Sequence, residues 1–198
     1  NNLGPLSIYH QKITGGAVSN SFEIFDDLIK IKMNFSLGRS RQGREIEAKI
    51  PGYYQGYDSL GIYPANVGIA RFDIGDAQYR RYNLCFLFLH MEDFTQNIKE
   101  VLNILPRRNR IYGIDFNYQF PRDLAYLNTK LFISSLRNNT NNQSIKNDTY
   151  DKAFLFSVKG KYLDYGYEGK YNFIGTNYFT GGNPYLLTDR HGFSLGSS

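Results

Sequence analysis

The feature that most constrains this chain is an alternation with a period of two, sustained over long stretches. Residues 110–120, RIYGIDFNYQF, put Tyr112, Ile114, Phe116, Tyr118 and Phe120 at even positions and Gly113, Asp115, Asn117 and Gln119 between them. Successive side chains of a β-strand point to opposite sides, so the stretch predicts a strand with one apolar and one polar face. The pattern recurs along the chain. Residues 28–38, LIKIKMNFSLG, set Ile29, Ile31, Met33, Phe35 and Leu37 against Lys30, Lys32, Asn34 and Ser36. Residues 44–50, REIEAKI, alternate again, and the RSRQG linker before them predicts a hairpin between the two runs.

Residues 80–91, RRYNLCFLFLHM, are more uniformly apolar. They predict a strand buried on both faces, or one crossing the middle of a barrel. Residues 92–105 space Phe94, Ile98, Val101, Leu102 and Leu105 as a helix would, and Pro106 ends them. At most one short helix is expected near 92–105. The Pro121-Arg122-Asp123 turn leads into a strand over 124–135, and residues 136–151 form a long polar loop. Strands follow over 152–163 and 164–175, and a last one passes through Phe193 and Leu195.

The better strands run about 10 to 12 residues, against about 5 to 6 in ordinary globular proteins and about 9 to 11 for a tilted strand crossing a bilayer. With 17 Tyr and 15 Phe among 198 residues, the rings gather near strand ends, as Tyr118 and Phe120 do beside the PRD turn. Amphipathic rings suit a boundary between an apolar and a wet phase. The expected fold is therefore all-β: an antiparallel β-barrel of about 8–10 long amphipathic strands, or a fragment of a larger barrel. One such unit is expected over residues 1–198. No stretch of about 18 apolar residues predicts a membrane helix. The chain begins NNLGPL and ends FSLGSS, and is expected to be a mature chain or a piece of a longer one. A secreted soluble β-domain, burying the apolar face in its own core and binding glycan or protein through exposed Tyr, is the alternative. A structural surface or assembly protein is the third reading.

Chemistry-bearing patterns are sparse. His10, His90 and His191 lie far apart, without metal-ligand spacing, and no nucleophile or phosphate-loop motif occurs. No enzyme activity, cofactor or metal is expected. Cys85, the single cysteine, sits in LCFLFL and predicts a buried, inert thiol. The net charge of +5 is scattered. Arg107, Arg108 and Arg110 read as a solvated loop, and without a contiguous basic face no nucleic-acid partner is expected. Sequons at Asn34, Asn138, Asn142 and Asn147 mostly fall in an Asn-rich loop.

Residues 80–120 carry a family resemblance. The run YNLCFLFLHMEDFTQNI, then RIYGIDFNYQF with its Arg-x-Tyr-Gly-Ile-Asp opening, then PRDLAYLNTKLFISSL, resembles a barrel segment of TonB-dependent outer-membrane receptors. That resemblance implies a bacterial outer-membrane barrel. The family's barrels have about 22 strands around a plug. This chain has strands for fewer, no recognisable plug or energy-coupling segment near its start, and Ser198 where outer-membrane barrels often end on an aromatic residue. No ligand residue carries over.

The combined expectation is an outer-membrane barrel for transport or surface reception of a small solute, in contact with the lipid bilayer and within a larger membrane assembly. Lys30, Lys32, Asp115, Asn117, Lys159, Lys161, Glu168 and Lys170 are expected to face the lumen. Lysine leads that set, so an anionic solute is favoured.

Overall fold

The structure, a computed structural model, describes residues 14–25, 28–41, 64–76, 81–94, 105–140, 148–181 and 186–197. Nine strands form one sheet: β1 (Thr14–Ile24), β2 (Ile29–Arg41), β3 (Ala65–Gly75), β4 (Tyr82–Asp93), β5 (Arg107–Gln119), β6 (Ala125–Asn138), β7 (Thr149–Tyr162), β8 (Tyr165–Ile174) and β9 (Arg190–Ser197). Each pairs antiparallel with the next, so spatial order equals chain order. The only other regular element among the described residues is a 3-10 turn, Pro121–Asp123. Among them, β1 and β9 are each paired on one side only, so the sheet is open.

Register turns the alternation of each strand into a property of the whole sheet. On one face, Phe22, Ile31, Ile74, Leu84, Phe116, Thr129, Phe156, Tyr171 and Phe193 are successive partners across all nine strands. One residue along, Glu23, Lys30, Gly75, Asn83, Asn117, Asn128, Ser157, Lys170 and Ser194 form the matching row on the other face. A slip of one residue anywhere would mix the two rows, so the pattern fixes the pairing. We call these the aromatic face and the polar face.

The aromatic face is the more exposed one. Along β4, Cys85, Leu87 and Leu89 on the polar face are buried, while Phe86 and Phe88 between them are 41% and 36% exposed. Phe35, Leu37, Phe193 and Leu195 also stand exposed on the aromatic face. The buried apolar cluster, centred on Val67, Leu89, Ile111 and Phe132, lies on the polar face near one end of the strands. There Tyr178, from the β8–β9 connection, packs onto it.

The connections are unequal at the two ends. Residues 25–28, 76–81, 120–124 and 163–164 link strands at one end; 42–64, 94–106, 139–148 and 175–189 link them at the other. Bulky residues take left-handed backbone in three of the short turns: Phe25, Arg122 and Leu163. In the longer β6–β7 connection, Asp148 is clasped by Arg137 and by Arg108 at 3.6 Å. Burial works against its charge, but hydrogen bonds from Arg137 and Ser135 and the two guanidiniums hold its carboxyl below the ordinary range.

Several expectations need correction. The partner of the 28–38 run is β1, through the tight turn at 25–28, and its other edge is taken by β3. Residues 44–50, the expected second strand of that hairpin, lie outside the described residues. Glu92 and Asp93 continue β4 rather than start a helix, since cross-strand pairing with Arg108 and Ala65 overrides the local spacing. Residues 95–104 lie outside the described residues. The polar loop shrinks to 139–148 because β6 and β7 extend each other to Leu136 and Thr149. β1 and β3 were not legible as strands. β1 is rich in Gly, Ser and Asn, and β3 carries apolar side chains on both faces, which breaks the alternation.

Gly160 permits one close approach near the short turns. The Tyr167 ring crosses it so that its hydroxyl donates to the Leu124 carbonyl at 2.8 Å. A Cβ on Gly160 would lie 2.2 Å from that carbonyl oxygen and 2.3 Å from the Tyr167 hydroxyl. Backbone cannot yield as a flexible side chain can, so Gly160→Ala is expected to destabilise the sheet by about 1–3 kcal/mol. Urea unfolding of the folded protein checks this, and an unchanged midpoint would contradict the packing described.

Candidate functional site

All eight residues expected to line a lumen lie on the polar face by register: Lys30 and Lys32 on β2, Asp115 and Asn117 on β5, Lys159 and Lys161 on β7, Glu168 and Lys170 on β8. They do not form one cluster. The sheet spreads them over three neighbourhoods.

The central neighbourhood is a hydrogen-bonded network on β5 and β6. Lys130 Nζ lies 3.1 Å from Asp115 Oδ2. Asn117 Nδ2 donates to Asp115 Oδ1 at 3.1 Å, and the Tyr126 hydroxyl donates to Asn117 Oδ1 at 2.7 Å. Asn128 Nδ2 donates to both Asp115 and Asn117. Two strands over, on β3, Arg71 grips Asp73 with two donors at 2.7 and 2.8 Å, and Asp73 is only 4% exposed. Cys85, directly between Asp73 and Asp115 in register, is buried. Each ionised group here has a counter-charge, which is the condition for holding charge on a crowded face.

The flanks differ in how their lysines are used. Lys30 meets Glu23 at 2.7 Å and Lys170 meets Glu168 at 2.7 Å, both largely solvent-screened pairs. Lys32, Lys159 and Lys161 have no ion pair among the described residues. Lys159 Nζ instead lies 5.5 Å from the Tyr126 ring centre. Beside it, Gln119, Tyr126, Lys159 and Lys161 line an open cavity of about 360 Å³ near the short turns. This is the part of the polar face with spare positive charge and space.

At the opposite end of the strands, the start of the β8–β9 connection lies across the face as a strap. Its backbone is tied by side chains of three strands. Gly181 N donates to Asn109 Oδ1 at 3.0 Å, while Asn109 Nδ2 donates to the Phe179 carbonyl at 3.1 Å. Phe179 N donates to Ser134 Oγ at 3.1 Å and Asn177 N to Asp151 Oδ2 at 2.7 Å. Tyr178 is buried beneath, and burial pushes its phenol pKa up. Among the described residues, the buried apolar cluster of the polar face lies here, with Tyr178 of the strap packed into it.

Sequence reasoning missed Arg71, Asp73, Asn109, Ser134 and Asp151. Arg71 and Asp73 stood two apart in RFD, a spacing that puts them on one face of a strand, but β3 was not recognised. The strap contacts join residues as far apart as Asn109 and Gly181, and no local signal marks them. Of the sequons, Asn34 lies on the polar face and accepts from Ser19 Oγ at 2.7 Å, and Asn138 is exposed at the end of β6. Asn142 and Asn147 lie outside the described residues, as does His10. Among the described residues, no group of three His, Cys, Asp or Glu side chains could hold a metal ion.

Comparison with known proteins finds no matching family model, no matching curated protein and no matching solved structure.

Asp73→Ala would leave the Arg71 guanidinium facing a crowded surface unpaired, with an expected cost of about 3–5 kcal/mol. The double variant Arg71→Met, Asp73→Leu is expected to recover most of that loss, because no charge is then stranded. Equilibrium unfolding of both variants distinguishes this from simple loss of packing, which would leave the double variant at least as unstable.

Proposed function

We propose that this sheet is the wall, or a sector of the wall, of a transmembrane β-barrel in a bacterial outer membrane, with a role in transport or surface reception of a small solute. The observation that carries the reading is the uncovered aromatic face. All nine strands present it, and among the described residues no second layer packs on it. Exposed apolar surface of that extent marks an interaction surface, and a bilayer core would satisfy it continuously.

Three further features support the same reading. On β5 the aromatic face runs from Tyr112 to Phe120, about 26 Å along the strand, or about 20 Å along the normal for a tilt of about 40°. Outer-membrane barrels present an apolar band of about 25 Å between aromatic girdles. Exposed rings gather at the short-turn end, with Phe25, Phe120, Tyr162 and Tyr165. Above the apolar rows the same face turns polar at His90 and charged at Glu92, Arg108, Arg110 and Arg137. Short turns at one end and longer connections at the other match the periplasmic and extracellular sides of such barrels. Closure would require β1 and β9 to pair with each other or with further strands, and the resemblance of residues 80–120 to TonB-dependent receptors favours the larger barrel.

In this reading the polar face lines a wet lumen. The paired charges of the central network hold the wall. Lys159 and Lys161 meet a small anionic solute, and the strap narrows the passage at the end with the longer connections. No catalytic role is proposed for any residue.

The open edges of β1 and β9 favour one other reading, a surface protein that assembles edge to edge. In that case the protein would stay with its own kind in detergent-free buffer and ignore vesicles.

Ile114 separates water from lipid. It is 41% exposed on the aromatic face. In water, Ile114→Arg should be tolerated or improve solubility, whereas near a bilayer midplane it should cost about 2–4 kcal/mol. Folding into phosphatidylcholine vesicles, followed by flotation and urea titration, reads the difference; a wild-type protein that remains monomeric in buffer and does not float overturns the membrane reading. For the solute, Lys159→Gln with Lys161→Gln is expected to lower anion over cation selectivity in planar bilayers. Unchanged selectivity would remove the two lysines from the proposal.

A further inference from the structure

The aromatic face carries a trough that the wall of a barrel does not require. β3 places the small residues Gly68 and Ala70 on this face, with Leu37 and Phe35 beside them on β2 and His90 and Phe88 on β4. Tall neighbours flank a low strip. The lower part, a groove of about 410 Å³, is walled by Phe35, Phe72, Phe86, Phe88 and Tyr112. The upper part, of about 530 Å³, is lined by Leu37, Arg39, Asn66, Gly68 and His90. Both are in the size range of sites for small molecules. The two adjoin along the same strands, because the Leu37–Gly68–His90 row directly follows the Phe35–Ala70–Phe88 row.

Charge at the mouth is uneven. Arg108 and Arg137 are engaged by Asp148. Arg39 and Arg110 have no ion pair among the described residues. Arg110 Nε donates to His90 Nδ1 at 3.4 Å, and the other ring nitrogen of His90 lies 3.2 Å from Glu92 Oε2. The Glu92 carboxylate is therefore directed to the imidazole. Arg39 on β2 and Arg110 on β5 remain, their backbones three strand spacings, or about 14 Å, apart across the sheet and offset by one same-face row along it, with the apolar groove opening below them. A β-bulge between Arg39 and Arg41 interrupts the β2–β3 register beside the mouth. Bulges commonly re-aim a side chain at such a place.

We infer that the trough binds one lipid with an anionic, phosphate-bearing headgroup: an acyl chain in the Phe-lined groove and the phosphate between Arg39 and Arg110. Charge complementarity commits the occupant. A purely apolar segment would gain nothing from the two guanidiniums, and a soluble anion would gain nothing from the groove. The inference rests on the membrane reading above, since only there does the aromatic face meet lipid.

The test uses the full chain folded into phosphatidylcholine vesicles, with spin-labelled phosphatidic acid or spin-labelled phosphatidylcholine as the probe. Flotation of the vesicles is scored first. Electron paramagnetic resonance then gives the immobilised fraction of each label. Each arginine near a charged surface contributes roughly 5-fold, so a preference for phosphatidic acid of about 30-fold at this site is expected. Arg39→Gln with Arg110→Gln should abolish it, and Arg39→Lys with Arg110→Lys should keep most of it. Ala70→Leu should fill the groove and reduce immobilised lipid without changing flotation. Glycerol phosphate in solution should not displace the label; displacement would assign the mouth to a soluble phosphate and overturn the lipid. Protein that floats but shows equal preference in wild type and the glutamine variant overturns the lipid site alone. Protein that does not float overturns both this site and the membrane reading.

Discussion

The structure depends on one constraint: an antiparallel ladder whose register is kept through nine strands. Each pairing satisfies backbone donors and acceptors within the sheet, and it also places every side chain on a face. Because the side-chain period is two, a single slip would carry Phe116 to the polar side and Asp115 to the aromatic side. The cost of that exchange, summed over a row such as Phe22 to Phe193, is what holds the alignment. The only register shift in the described pairings, between Arg39 and Arg41, falls at the end of β2, where the aromatic rows have already ended.

The two faces then impose opposite demands. The polar face manages charge by pairing it: Arg71 with Asp73, Lys130 with Asp115, Lys30 with Glu23. Where the strap lies across it, the same face becomes apolar, and Asn109, Ser134 and Asp151 bind the strap's backbone polar groups. The aromatic face has no such cover among the described residues. The rings on that side stand exposed while the ion pairs on the other are satisfied. The membrane reading supplies an apolar phase against those rings, and the charged residues beyond Phe88, Tyr112 and Ile133 mark where it would end.

Two uses of small residues recur. Gly160 lets Tyr167 cross the sheet, and Gly113 lies beneath the Phe132 ring, whose carbons would meet an added Cβ at 2.3 Å. Gly68 and Ala70 act differently: they form a low strip between taller neighbours, with the Leu37 side chain leaning over Gly68 so that an added Cβ would meet its Cδ2 at 3.2 Å. The first two tighten the sheet. The second two open a trough whose apolar floor and basic mouth have the chemistry of an amphiphile.

Much of the sheet was legible in the sequence, because alternation is a local property. β2 and β5 to β9 can be located from periodicity and β4 from its apolar run, and the face carrying Lys30, Asp115, Asn117 and Lys170 follows from the same count. β1 and β3 could not be found that way. Polar small residues give β1 no contrast, and β3 is apolar on its polar-face side because the strap end of the sheet is dry there. Local spacing also suggested a helix start at Glu92, which pairing with β3 and β5 overrode. What only tertiary structure decided is which groups meet. Register set Lys30 and Lys170 against carboxylates and left Lys159 and Lys161 without one. It brought Asn109 to Gly181 across 72 residues of chain, and it set Gly68 and Ala70 between taller neighbours. Alternation fixes the side on which a residue lies. The residue beside it on the next strand depends on register and on long-range connections, and no period of two encodes those.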